Sequence, residues 1–312
     1  MSSDPSAGPR VLGPAETRAA LPFELLIEAL RSAFAAGGKV PERHHHALPG
    51  GATLLLMPAW DERLLGTKLV TVHPANPARG LPAVHSLYLL ASAETGQPLL
   101  LLDGGELTAR RTAAVSALAG SYLAPPGPLR MLLVGAGRVG SLLPRAWREV
   151  REITEVAVWN PTPARAELLA AELAAEGLPA RPAGALADEA GMADLVSCAT
   201  LAAEPLIQGA WLRPKAHLDL VGSFRPTMRE ADEQAVAQAA VWVDSPAALA
   251  EAGELAGLAV DDIAGMLAEL CRGAAPASAR RTLFKSVGTA LADLAAARLA
   301  HDMHNNSGKR PG

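Results

Sequence analysis

Aromatic residues make up only 4% of this 312-residue chain, and cysteine occurs just twice, at Cys198 and Cys271. So few thiols exclude a disulfide framework or a cysteine-rich zinc site, and a reduced, cytoplasmic protein is expected. No apolar run approaches the roughly 20 residues that a bilayer requires, and no basic-then-apolar export signal opens the chain. Positive charge is not in excess, because 28 Lys and Arg stand against 32 Asp and Glu, a formal net charge of -4. Neither nucleic acid nor an anionic membrane surface finds a basic field here. CxxC, HExxH and clustered carboxylates are missing as well, so no metal site is expected, and the His44-His45-His46 run reads as a solvated loop. Nor does any serine sit in a nucleophile elbow. What is present is a chain that is 50% hydrophobic and 19% charged, enough for a sizeable core and about two domains. Its expected partner is a small molecule.

The strongest positive signal is MLLVGAGRVGSLL at 131–143, a short apolar run that feeds into glycines and then a helical pattern. Gly135 suits a tight strand-to-helix turn, Gly137 a close approach of backbone to a pyrophosphate, and Gly140 close helix-to-strand packing. Arg138 and Val139 lie within the same turn, and Pro144 is expected to kink the helix behind it. From about residue 130 onward, apolar runs such as EVAVW (155–159), DLVSCAT (194–200), AHLDLVG (216–222) and AVWVD (240–244) alternate with helical segments. That alternation predicts an α/β fold with a doubly wound parallel sheet of the Rossmann type. The first 125 residues differ: a helix over 23–36 precedes apolar segments divided by turn chemistry, which predicts an antiparallel or mixed sheet. A helix is expected over about 107–122, a stiff linker at 124–128, and a final helix over 283–302 that frays beyond it.

Several side chains are candidates for chemistry. Asn160 ends the second strand of the nucleotide unit, where an acid would select NAD; an uncharged amide admits NADP, with Thr162 and Arg165 as further anchors. The competing reading is an Asn-Pro-Thr-Pro helix cap. Lys68 interrupts the apolar strand LLGTKLVTV and must either reach solvent or meet an anion. Arg111 is open to the same two readings, since Arg110 or Arg111 can be ordinary solvated helix charge, while His85, Asp103 and Glu106 are candidates for proton transfer. On residues alone the chain is a nicotinamide-dependent oxidoreductase of undetermined substrate.

Together, GTKLVTVHPANPARGLPAVHS (66–86), TGQPLLLLDGGELTARRTAAVSALA (95–119), VGAGRVG (134–140), VWNPTPARA (158–166), HLDLVGSFRPTMREAD (217–232) and TLFKSVGTALADLAAARL (282–299) resemble the ornithine cyclodeaminase and mu-crystallin family. The resemblance implies a homodimer of two-domain subunits. Residues 1–125 with the helix 283–312 would form a mixed α+β substrate and dimerisation domain, and 126–282 an NAD(P)-binding Rossmann domain. It further implies that Arg43, Lys68 and Arg111 hold the substrate carboxylate and that Arg111, Thr200, Val221 and Ser286 lie near the cofactor; the expected catalytic residues are Lys68, Arg111 and the proton-transfer candidate His85. One departure is informative. Where cyclodeaminases carry an aspartate that acts on the substrate amines, this chain has Phe224, and a phenyl ring accepts no proton. Ser223, Arg225, Pro226 and Asn160 resemble the mu-crystallin and ketimine reductase branch; Pro161 replaces an arginine often found there, and Ala83 a threonine common in cyclodeaminases. The expected activity is therefore reduction of a small cyclic imino acid, Δ1-pyrroline-2-carboxylate or Δ1-piperideine-2-carboxylate, by NADPH or NADH. Alternatives are ornithine cyclodeamination to proline and ammonia, an alanine-type amino-acid dehydrogenase, and a binding protein without turnover.

Overall fold

The computed structural model describes residues 8–276 and 280–307 and divides the chain into two units, 1–111 with 289–312 and 112–288. In the first, six strands form one sheet: β1 (Arg10–Leu12), β2 (His44–Ala47), β3 (Thr53–Trp60), β4 (Leu64–Val72), β5 (Val84–Ser92) and β6 (Pro98–Asp103). Their order is β1-β6-β5-β4-β3-β2, with β1 parallel to β6 and every other pair antiparallel. The sheet is therefore mixed. Side chains alternate across it, so Met57, Lys68, Tyr88, Leu90, Leu100 and Leu102 are buried on one face. The helix Ala290–Ser307 packs on β3 to β6 and on the helix Phe23–Ala36, whose Leu26, Ile27, Leu30 and Phe34 recur at helical spacing and are buried.

The second unit is an all-parallel sheet of eight strands: β7 (Leu129–Val134), β8 (Ile153–Trp159), β9 (Ala180–Pro182), β10 (Leu195–Cys198), β11 (His217–Leu220), β12 (Ala239–Val243), β13 (Gly265–Met266) and β14 (Arg281–Lys285). Their order is β13-β12-β14-β11-β10-β7-β8-β9. From β7 the chain steps one way to β8 and β9 and the other way to β10 and β11, which makes the β7/β10 junction a topological switch point. Leu132, Val134, Val196, Leu218, Leu220 and Leu283 form its core, buried on both faces as their unbroken apolar runs require.

Four expectations differ from the structure. The division falls at 111/112 and 288/289 rather than at 125/126 and 282/283. The helix Gly104–Leu123 sends Ser116 to the buried Asp219 of β11, so most of its length belongs to the second unit and 124–128 is no linker between them. Residues 281–285 do not begin the final helix; they are β14, an inner strand, and the helix starts at Ala290. Pro144 does not kink a long helix, because the glycine turn enters a 3-10 turn at Gly140–Leu142 and then a five-residue helix, Leu143–Trp147, with Pro144 in its first turn. The final helix continues to Ser307, past the expected end at 302, and the rest of the expected fraying, over 308–312, lies outside the described residues.

Candidate active site

In the first unit the cations expected from sequence gather around an acid that was not. Lys68, 3% exposed on the inner face of β4, places Nζ 2.8 Å from Asp293 Oδ2, and Arg111 Nε donates to Asp293 Oδ1 at 2.7 Å. Asp293 is fully buried. Burial would raise its carboxyl, but Lys68 and Arg111 hold it below the usual carboxylate range. Lys68 is lowered as well, to about 8, because burial disfavours its charge and outweighs the support of Asp293, with Arg111 and Arg43 adding repulsion. Arg43, half-buried just before β2, therefore acts on the same centre. Lys68 and Arg111 meet one carboxylate, with Arg43 near enough to repel Lys68, and this surplus of positive charge is chemically suited to an anionic ligand.

Tyr88 stands directly across β5 from Lys68 in the strand register, fully buried, its hydroxyl without a hydrogen-bond partner and its ionisation raised by burial and by Asp293. Sequence reasoning missed both Tyr88 and Asp293. Asp293 did leave a signal, as an acid on the buried stripe that continues through Ala296, Ala297 and Ala300. His85 is not brought to this cluster. It pairs with Thr71, three positions from Lys68, and so stands on the opposite, outward face. Asp103 and Glu106 are also elsewhere engaged: Asp103 accepts the Glu106 backbone N–H at 2.6 Å at the start of the helix Gly104–Leu123, and Glu106 pairs with Arg18 at 2.9 Å. His44, His45 and His46 form the exposed edge strand β2, and among the described residues no three His, Cys, Asp or Glu side chains gather as metal ligands.

In the second unit the glycine turn has the geometry a dinucleotide needs. Gly135 has φ 111°, which a side chain would strain, and a Cβ on Gly140 would overlap the Gly135 carbonyl. A Cβ on Gly137, by contrast, would meet nothing within 4 Å, so the exposed backbone there is open to a pyrophosphate. These residues fit an NAD(P) pyrophosphate. Asn160 neither caps a helix nor stands free: its Oδ1 accepts the Ala136 N–H at 3.0 Å and its Nδ2 donates to the Thr162 carbonyl at 3.1 Å, tying the end of β8 to the glycine turn. Thr162 precedes the helix Pro163–Ala175 without a side-chain cap, Arg165 is exposed three residues on, and Arg138 is exposed in the glycine turn. Thr200, Val221 and Ser286 each follow the carboxyl end of a strand, β10, β11 and β14. Phe224, 44% exposed, follows β11 with the Arg225 guanidinium 5.7 Å from its ring centroid.

The model of the Ornithine cyclodeaminase/mu-crystallin family matches residues 15–308. The chain is 36% identical to Delta(1)-pyrroline-2-carboxylate reductase of Paracoccus denitrificans, covering 93% of this chain and 95% of that protein. It is also 36% identical to ketimine reductase mu-crystallin of Rattus norvegicus, covering 84% and 82%. Among solved structures, Thermococcus litoralis Delta(1)-pyrroline-2-carboxylate reductase in complex with NADH and L-proline superposes with a TM-score of 0.89 at 30% identity, covering 96% of this chain and 98% of that one.

Proposed function

Given that the chain belongs to the ornithine cyclodeaminase/mu-crystallin family and is an NAD(P)-dependent oxidoreductase, we propose that it reduces small cyclic imino acids, Δ1-pyrroline-2-carboxylate or its six-membered homologue, to the cyclic amino acid. The observation that carries this reading is the buried Lys68–Asp293–Arg111 cluster with its surplus of positive charge. Arg111 and Arg43 bind and orient the substrate carboxylate. Lys68, titrating at about 8, is poised near neutral pH to give a proton to the imine nitrogen, and Asp293 holds Lys68 and Arg111 in place. A bound nicotinamide supplies hydride to the imine carbon. Phe224, where cyclodeaminases use an aspartate, lacks the acid that acts on the substrate amines in that reaction, which supports imine reduction over cyclodeamination.

The cofactor expected to work best is NADPH. Asn160 brings no negative charge to the end of β8, and Arg138, Thr162 and Arg165 are available in sequence to a 2′-phosphate. The protein is a homodimer in this reading, because the outward face of the first sheet carries Val11, Leu56, Leu69, Leu87, Leu89 and Leu101, and three of these, Val11, Leu69 and Leu87, are exposed by 65%, 41% and 43%. A contiguous apolar face of this kind marks an association surface, and a second copy of the chain covers it. Among the described residues no helix is long and apolar enough to cross a membrane.

The test is a panel in which the purified protein meets each cyclic imine, ornithine, and pyruvate with ammonia, against both reduced and oxidised cofactors. Consumption of reduced cofactor with the imines, without ammonia dependence, is expected. Proline and ammonia from ornithine, with the imines inert, would overturn the proposal.

A further inference from the structure

The turns at the carboxyl ends of the inner strands are held by buried carboxylates that sequence reasoning did not single out. Glu230 is fully buried. Its Oε1 accepts the Thr200 backbone N–H at 2.6 Å and the Thr200 hydroxyl at 2.9 Å, and its Oε2 accepts the Gly222 N–H at 2.7 Å. One carboxylate thus joins the turn after β10 to the turn after β11. The two turns also touch, since a Cβ on Gly222 would overlap the Thr200 backbone. Glu230 is itself fixed: its N–H donates to Glu254 Oε1 at 2.7 Å, while Glu254 Oε2 accepts from the Ser223 hydroxyl and Ser223 Oγ accepts from Lys285 Nζ at 2.5 Å. A parallel arrangement follows β12, where Asp244 Oδ2 accepts the Ser286 hydroxyl at 2.8 Å and the Val287 and Gly288 N–H groups at 3.1 and 2.7 Å.

Burying carboxylates costs solvation, and here the return is a set of rigid turns with every acceptor engaged. Burial pushes the Glu230 carboxyl up, against the opposing pull of Lys285 and of its own donors. Position explains why rigidity matters. A Cβ on Gly135 would meet the Ala199 carbonyl at 2.6 Å and Thr200 Cγ2 at 3.0 Å, so Thr200 walls the switch-point crevice. Asn160, at the end of β8, is on the other side of the glycine turn. In such sheets the ligand lies outside the strand ends across the switch point, so a dinucleotide whose adenosine half is at β8 puts its nicotinamide half at β10 and β11.

We propose that Glu230 is a positioning residue for the nicotinamide half of the cofactor: it touches no ligand but fixes the Thr200 and Gly222 turns against which that half packs. This rests on the chain being nicotinamide-dependent and not on the identity of the imine. Glu230→Gln keeps the side chain's size and turns one acceptor oxygen into an NH2 group that faces a donor, so one turn is released. The probes are NADH, followed by nicotinamide fluorescence, and ADP-ribose, followed by calorimetry, both without imine. Loss of a charge-assisted bond predicts NADH affinity down by about tenfold, with ADP-ribose affinity changed by less than about twofold because the glycine turn and Asn160 are intact. Glu230→Asp, with the charge on a shorter arm, is expected to fall between. Equal weakening of both probes, or no change in either, overturns the proposal, because a purely structural role moves both ligands together. If the glutamine variant does not fold, the same ratio measured on Glu230→Asp decides, with a selective NADH loss supporting and an equal loss refuting. Wild-type protein that binds NADH but ignores every imine would sink the substrate assignment and leave this test standing.

Discussion

Replacing Asp293 by asparagine preserves the side-chain volume and removes the one negative charge beneath Lys68 and Arg111. Breaking a buried ion pair by deleting one partner costs about 3–5 kcal/mol, and sharing between the two cations assigns about 2 kcal/mol to Lys68. At 1.36 kcal/mol per pKa unit, that carries Lys68 from about 8 to about 6.5. The sign follows from the role: the donor works when protonated, so activity falls as pH rises through its folded-state pKa. At pH 7.5 the protonated fraction drops from about three quarters to about one tenth, so kcat/KM falls about eightfold, whereas near pH 5.5 the two proteins differ little. Initial rates of reduced-cofactor consumption at subsaturating imine, taken across pH on protein shown to be folded, measure this. A basic limb that stays near 8 in the variant, or a loss equal at all pH values, refutes the assignment of Lys68 as the titrating donor.

Other expectations are as definite. Asp219 is fully buried, accepting from Ser116 and Ser197 hydroxyls at 2.8 and 2.5 Å, and burial raises it to about 6. A raised folded-state pKa means that stability present at low pH is lost as pH rises through that value, a difference of about 3 kcal/mol. Asp219→Asn should therefore gain about that much relative to wild type at pH 8 compared with pH 4 in chemical denaturation; an equal effect at both pH values would exclude it. Asn160→Asp places a charge where the 2′-phosphate is expected and should lower the NADPH-to-NADH ratio of kcat/KM by about tenfold or more, with an unchanged ratio counting against the NADPH assignment. Leu87→Glu on the outward sheet face should shift sedimentation from dimer to monomer, and a persistent dimer would place the interface elsewhere.

Local features were legible in the sequence and long-range ones were not. The glycine turn is specified by residues within one strand-turn-helix segment, so Gly135, Gly137 and Gly140 could be given separate roles before any coordinates; in the structure Gly135 has a positive φ, Gly137 is open and Gly140 packs on the Gly135 carbonyl. Lys68 stood out because a charge inside an apolar strand needs an explanation. Its partner did not, because Asp293 lies 182 positions from Arg111 in the chain and only the folding of the last helix onto the sheet brings them together. Likewise β14 was absorbed into a helix, since RTLFK is too short for its periodicity to distinguish strand from helix, and the Gly288 that separates it from the helix was the one local signal. The side chain of Asn160 had two sequence readings, cofactor anchor and helix cap, and the structure gives a third, a brace between two turns, because hydrogen-bond partners are set by tertiary approach.

The central claim is that hydride enters the imine carbon of a cyclic imino acid and stays there. Incubating the protein with Δ1-pyrroline-2-carboxylate and NADPH deuterated at the transferable position, then analysing the product by mass spectrometry and proton NMR, tests it directly. One deuterium at C2 of proline per cofactor oxidised is predicted. Unlabelled proline, or proline formed from ornithine with ammonia release and no net cofactor consumption, would contradict it.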